Sequence, residues 1–369
     1  MSRSVATDAR IARHAVSEIV PIKGRGALSN AEDRYRERVH EALDDGWWRE
    51  PDGSRLSTSV MIDKSRSVIT ANRSPDLPFD QSINPYRGCE HGCVYCYARP
   101  THAYLGLSPG LDFETKILVK PDAPALLRDE LSRRGYRCRV IAMGTNTDAY
   151  QPLERRYRIT RGILEVLQEY RHPVTITTKS SLIERDLDIL AAMAGDRLAQ
   201  VQVSVTTLDD ELCRRLEPRT PAPRRRLRTV RALTEAGIPV TVLVAPVIPA
   251  LNDADLESIL TASAAAGAHH AAYILLRLPL EVKELFKEWL AVHAPLKAEH
   301  VMSLVRQCRA GKENDARFGR RMRGTGEYAE LIAQRFRLAA RRLGLDAPLP
   351  PLDVTRFRAP PLQSQLRLL

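Results

Sequence analysis

The sequence predicts an α/β protein built on an incomplete (β/α)6, TIM-like barrel, with an N-terminal extension over 1–75, the core barrel over 76–300 and a helical C-terminal region over 301–369. Three observations predict it. From Gln81 onward, short β-rich runs alternate with amphipathic helical patterns at about 30 residues per unit, the spacing of βα modules. Six such units follow one another, which calls for a parallel sheet, either open and doubly wound or curled into a partial barrel. No GxGxxG or GxxxxGK loop follows any of the runs, which weighs against the nucleotide-binding open sheet and favours the partial barrel.

Taken in order, the chain begins with a polar head leading into "SNAEDRYRERVHEALDDGW". There Ser29 and Glu32 have capping-box spacing for a helix ending near Gly46. The stretch "SPDLPFD", two prolines among turn residues, reads as the connector into the barrel. The expected strands are "QSINPY", "RVIAMG", "VTITT", "VQVSV", "VTVLVAP" and "AAYILL", with helices over 123–134, 160–170, 182–193, 226–236 and 254–265. Beyond Pro279, "EVKELFKEWLAVH" and "EYAELIAQRFRLAARRLG" read as helices packed on the barrel's flank or mouth.

Lys and Arg number 56 against 45 Asp and Glu, a formal charge of +11, with arginine clusters at Arg133–Arg134, Arg224–Arg226 and at Arg320, Arg321 and Arg323. This reads as a solvated basic surface that permits a nucleic-acid or other anionic partner without showing one. The six cysteines are too few for a disulfide scaffold in 369 residues, and three of them crowd between positions 89 and 96, as a reducing cytosol uses cysteine. The N-terminus lacks the apolar core of a signal peptide, and no segment approaches the roughly 18 apolar residues of a membrane span. The expectation is a cytoplasmic protein without a membrane partner.

The chemistry concentrates in "RGCEHGCVYC", where Cys89, Cys93 and Cys96 have the spacing C-x3-C-x2-C. A zinc site would need His91 or His102 as a fourth ligand, and zinc ligands usually come as two close pairs. A redox couple of Cys93 and Cys96 would leave Cys89 unexplained. A ferredoxin-type cluster lacks its fourth cysteine, because Cys138 stands at the wrong end of its strand. Three thiolates on a four-iron cluster leave one iron with an open position, and open positions are where metal centres take reactants. In a parallel barrel the segments after each strand meet at one mouth. Here they are the cysteine loop, "TNTDAYQPLE", "KSSL", "TTLDDEL", "PVIPALND" and "RLP", polar where the strands are apolar.

The cysteine loop after the first strand of a six-unit barrel, with Tyr95 as the aromatic of C-x3-C-x-aromatic-C, resembles the radical S-adenosylmethionine (radical SAM) superfamily. The segments "GTNTD", "TKSS", "VSVTTLDDELCRRLEPRT" and "VLVAPVIPALND" resemble its spore photoproduct lyase branch, a DNA-repair branch. "NPYRGCEHGC", "YARPTHAYLGLSPGLDFETKI" and "RMRGTG" resemble an uncharacterised bacterial group close to it. The resemblance implies a 4Fe-4S cluster on Cys89, Cys93 and Cys96, S-adenosylmethionine on the open iron, and an external one-electron donor of flavodoxin or ferredoxin type. It implies reductive cleavage of S-adenosylmethionine to methionine and a 5'-deoxyadenosyl radical that abstracts hydrogen from a substrate. For the cofactor it implies Tyr95 at its border, Thr147 and Asp148 near the methionine part, Lys179 for the carboxylate, Ser204 as a hydrogen-bonding residue, Glu217 with Arg219 near the ribose or substrate, and Val244 to Pro246 as an apolar wall.

Plain readings stand beside these: Lys179 as a snorkelling surface lysine, Ser204 as part of an ordinary alternating strand, Val244 and Pro246 as core, and His91 and His102 as structural donors. Gln151, Asn252 and Arg277 are polar residues following strands and are candidates for substrate contact. One departure stands out. The lyase branch carries a hydrogen-returning cysteine at the end of the second strand, where this chain has Gly144 and Thr145. The function expected is therefore a radical SAM enzyme of unassigned substrate, with a DNA-lesion lyase and a zinc-stabilised, non-enzymatic nucleic-acid-binding protein as alternatives.

Overall fold

The computed structural model describes residues 21–30, 34–35 and 56–359. The helix expected from Ser29 to Gly46 falls largely outside the described residues. The strands are β1 (Ser59–Ile62), β2 (Thr70–Ala71), β3 (Gln81–Ile83), β4 (Tyr86–Arg87), β5 (Lys116–Val119), β6 (Ile141–Met143), β7 (Val174–Thr178), β8 (Ala199–Ser204), β9 (Val240–Val247) and β10 (His270–Leu275). The helices are α1 (Leu111–Thr115), α2 (Ala123–Leu131), α3 (Glu154–Tyr157), α4 (Ile159–Glu169), α5 (Leu187–Gly195), α6 (Asp210–Leu216), α7 (Pro223–Glu235), α8 (Leu256–Ala265), α9 (Val282–His293), α10 (Ala298–Gln307) and α11 (Glu327–Arg342).

One sheet has the order β10-β9-β8-β7-β6-β3-β2. Its six strands from β3 to β10 are parallel and lie in chain order, while β2 runs antiparallel at the edge. This is the expected six-unit parallel core, open between β2 and β10 and not a closed barrel. β9 is buried at seven of its eight positions, as befits a parallel strand covered on both faces. Each crossover helix buries one stripe against the sheet. In α4 the stripe is Ile159, Ile163, Val166 and Leu167, the spacing of an amphipathic helix.

Three local expectations need correction. "QSINPY" is two strands, because Pro85 has no N–H to continue the ladder, so Tyr86 and Arg87 turn away to pair with β5. That pairing makes a second sheet, β1-β5-β4, which runs of only two to four residues did not betray. The helix expected over 182–193 is a 3-10 turn over Ser181–Asp186, begun by Ser180 accepting from the Leu182 amide, and then α5.

Two segments finish the core. Beside β10, the Leu275 amide donates to the Met322 carbonyl, and Arg309 donates to the carbonyls of Arg320, Arg321, Leu275 and Leu276. Arg321 from this segment pairs with Asp76 in the β2–β3 loop, so one ion pair joins the two edges of the open sheet. Beneath the amino ends of the strands, the chain from 345 to 358 runs past β10, β8 and β7. Its contacts there are Leu345 O to the Ala271 amide, Pro350 O to Gln200, and the Phe357 ring beside His172. Among the described residues no helix is long and apolar enough to cross a membrane.

Candidate active site at the cysteine loop

The cysteine loop leaves β4 through Gly88 at φ +80° and turns again through Gly92 at φ +67°, conformations that side chains strain to adopt. A Cβ on Gly92 would lie 2.8 Å from Glu114 Oε2. Backbone bonds tie the loop to its surroundings: the Cys89 amide donates to Phe113 O at 2.9 Å and the Val94 amide to Leu216 O at 3.1 Å. All three thiols are free, with Cys89 and Cys93 buried and Cys96 half-buried.

Four buried polar clamps hold the loop from different elements. The first is Arg99, which donates to Cys93 O at 2.9 Å, to Pro109 O and Gly110 O, and pairs with Glu114 of α1. Glu114 in turn accepts from the amides of Gly26 and Ala27, which presses the N-terminal segment onto the loop. A Cβ on Gly26 would come within 1.8 Å of Gly92 O, so only glycine fits there. Second, Gln151 accepts from the Glu90 amide at 2.9 Å and donates to Gly88 O at 3.2 Å.

Third, Asp148 accepts from Thr178 Oγ1 at 2.7 Å, the Lys179 amide at 2.8 Å and the Tyr150 amide at 2.8 Å, and lies 3.3 Å from His91 Nδ1 inside the loop. Burial pushes the Asp148 carboxyl up, but His91 and these donors hold it at about 2. Burial alone would lower His91, yet the Asp148 and Cys89 charges raise it to about 10. Fourth, Glu217 accepts from Tyr95 Oη and from Thr206 Oγ1 at 2.6 Å and pairs with the buried Arg226, which also donates to Ser204 O.

The donor set suits a soft, positively charged metal centre. Burial pushes the Cys93 thiol well up and raises Cys96, with the Lys179 charge opposing both and Arg99 opposing the second. Bound metal supplies the charge that lets such thiols ionise. Among the described residues no three His, Cys, Asp or Glu side chains converge on a single metal ion. Thiolates of an iron-sulfur cluster bind separate irons and need not converge.

The structure brings the sequence-picked residues into distinct situations. Thr147 is buried and donates to Tyr86 O at 3.2 Å. Asp148, Glu217 and Gln151 have their oxygens or amides engaged by the protein itself. So has Asn252, which accepts from the Ile248 amide at 2.6 Å and donates to Thr206 O and Pro246 O. Arg219 pairs with Glu90 at 2.9 Å beside the loop. Val244 and Pro246 are buried in β9. Lys179, at the end of β7, forms no ion pair among the described residues, and its ammonium stands 5.8 Å from the Tyr95 ring centroid. The Ser204 hydroxyl makes no hydrogen bond among the described residues. His102 is buried, with Nε2 3.0 Å from Lys116 O. Gly144 has φ +83°, and a Cβ there would fall 2.1 Å from Thr177 O, so the position admits no cysteine.

Sequence reasoning missed Glu114, Arg99, Arg226 and Tyr97. Acids and arginines with no exposed surface, such as Glu114 and Arg99, look in sequence like any others. Tyr97 had a signal in its place beside Cys96; its hydroxyl donates to Thr145 O at the second strand end.

The radical SAM superfamily matches this chain over residues 83–262. An uncharacterised protein of Mycobacterium tuberculosis is 42% identical over 233 residues, covering 63% of this chain and 68% of that protein. An uncharacterised protein of Methanocaldococcus jannaschii is 28% identical over 192 residues, covering 52% of this chain and 69% of that protein. Among solved structures, spore photoproduct lyase complexed with dinucleoside spore photoproduct is similar at TM-score 0.55 and 16% identity, covering 77% of this chain and 78% of that one, a likeness of fold.

Proposed function

Because the chain belongs to the radical SAM superfamily, we propose that Cys89, Cys93 and Cys96 hold a 4Fe-4S cluster whose fourth iron binds S-adenosylmethionine. When bound, this pair supplies reductive cleavage to methionine and a 5'-deoxyadenosyl radical, with the electron from an external flavodoxin- or ferredoxin-type donor. The observation that carries the reading is the loop itself: three free thiols, turned by two left-handed glycines and clamped from four sides by buried polar groups.

The protein's own residues divide into two roles. Lys179 and Ser204 keep unused donors at the ends of β7 and β8, and they are the residues proposed to touch the cofactor, Lys179 at its carboxylate. Val244 and Pro246 wall it on the apolar side, and Thr147 and Tyr95 shape its border. Asp148 and Glu217 act as positioning residues through His91 and Tyr95, since their oxygens are already engaged.

The reading favoured for the reaction is hydrogen abstraction rather than DNA-lesion lysis. The backbone at Gly144 leaves no room for a hydrogen-returning thiol there, and Thr145 offers only a hydroxyl, bonded to Asn84. The test is anaerobic incubation of the reconstituted protein with dithionite and S-adenosylmethionine. Release of methionine and 5'-deoxyadenosine in equal amounts is expected, and absence of 5'-deoxyadenosine from cluster-loaded protein overturns the proposal.

A further inference from the structure

Among the described residues, the buried Arg99, Arg226 and Arg309 each have carboxylate or carbonyl acceptors, although Arg309 leaves its Nε without one. Arg99 and Arg226 pair with Glu114 and Glu217, and Arg309 donates to four backbone carbonyls. Arg277 stands apart. It follows β10 by two residues, at the mouth end of the strand, and is half-buried. Its Nε is buried with no hydrogen-bond partner, and Nη1 meets only the weak acceptor Met322 Sδ at 3.7 Å. No carboxylate pairs with it among the described residues, because the nearby Asp76 is already bidentate to Arg321.

Its neighbours place this unused cation at the reaction site. The guanidinium lies 5.0 Å from the centroid of the Tyr97 ring, and Tyr97 follows Cys96 directly and bonds to Thr145 O. Tyr97 is 44% exposed, so the pair borders open space. Gln151 and Asn252, the other two residues read in sequence as substrate contacts, are consumed by backbone bonds. A guanidinium presents five donors in a planar fork that matches an oxyanion, and holding its Nε buried and unpaired costs free energy that an anionic ligand would recover.

Resting on the radical SAM reading, we propose that Arg277 receives an oxyanion of the substrate, a phosphate or a carboxylate, and so orients the substrate beside Tyr97 and the cysteine loop. Burial, with the like charge of Arg321, also lowers the pKa of Arg277, which is the environment an anion would relieve.

The experiment is phenylglyoxal footprinting of the reconstituted full-length protein, read by mass spectrometry at each arginine. Inorganic phosphate and acetate are the probes, with chloride at equal ionic strength as reference and the exposed Arg134 as internal control. Modification of Arg277 is expected to slow about tenfold near ten times the dissociation constant of the protecting anion, with Arg134 unchanged. Protection by phosphate alone assigns a phosphoryl-bearing substrate, and protection by acetate alone assigns a carboxylate. Equal rates with and without anion, equal slowing at Arg134, or an Arg277 unreactive even in chloride each overturn the proposal. Iron content and 5'-deoxyadenosine release on the same preparation test the cluster reading separately, so a failed footprint and a failed cluster are distinguishable.

Discussion

Glu114 and Arg99 form an ion pair in which neither side chain is exposed, and through it the N-terminal segment, helix α1 and the backbone of Cys93 are held together. Removing one partner leaves the other charge buried and alone. Glu114→Ala is expected to destabilise the apoprotein by about 3–5 kcal/mol in urea unfolding and to lower iron retention after reconstitution. The double substitution Arg99→Met with Glu114→Leu recovers much of the stability. Wild-type stability in Glu114→Ala would contradict the clamp.

Gly26 is the point where the N-terminal segment crosses the cysteine loop, with the position of a Cβ 1.8 Å from Gly92 O. Nothing flexible stands there to yield. Gly26→Ala should therefore detach the segment and speed air bleaching of the cluster's visible absorption. Gly195→Ala, at the end of α5 with nothing within 4 Å of the added carbon, should leave bleaching at the wild-type rate. Equal rates in both variants would show that the segment does not shield the loop.

The six-unit core was legible because each strand and helix carries its own period, two or 3.6 residues, within a short window. The cysteine loop was legible because its three cysteines lie in eight consecutive residues, 89 to 96. The clamps were not. Gly26 and Glu114 are separated by 88 positions and Gln151 and Glu90 by 61, so neither pairing leaves a local pattern. Gln151 and Asn252 were read as substrate contacts because they are polar and follow strands; both turn back to bond the backbone, a use that sequence cannot distinguish from an open one. Arg277, chosen on the same ground, is left with only the weak acceptor Met322 Sδ among the described residues, because the nearby Asp76 is taken by Arg321.

His172 reports on the opposite end of the parallel sheet, at the amino end of β7. It is buried, with Nδ1 3.0 Å from Pro173 O and Nε2 2.9 Å from Tyr136 Oη, and burial lowers its pKa from 6.5 to about 4. Below pH 6.5 the unfolded chain takes up a proton that the native state refuses, so stability falls as the pH drops from 6.5 towards 4. The loss attributable to this group amounts to about 3 kcal/mol at most. The difference in urea stability between wild type and His172→Gln should change across that window and stay constant above it. A constant difference from pH 7 to pH 4 would contradict the assignment.

The central claim is that three cysteines, and only these three, hold a four-iron cluster. Iron and sulfide analysis with Mössbauer spectroscopy, on anaerobically reconstituted wild type and single cysteine variants, tests it most directly. About four irons per chain are expected in wild type. The cluster should be lost in Cys89→Ala, Cys93→Ala and Cys96→Ala, and kept in Cys138→Ser, Cys213→Ser and Cys308→Ser. Zinc in place of iron, or a cluster that survives loss of Cys89, Cys93 or Cys96, would contradict it.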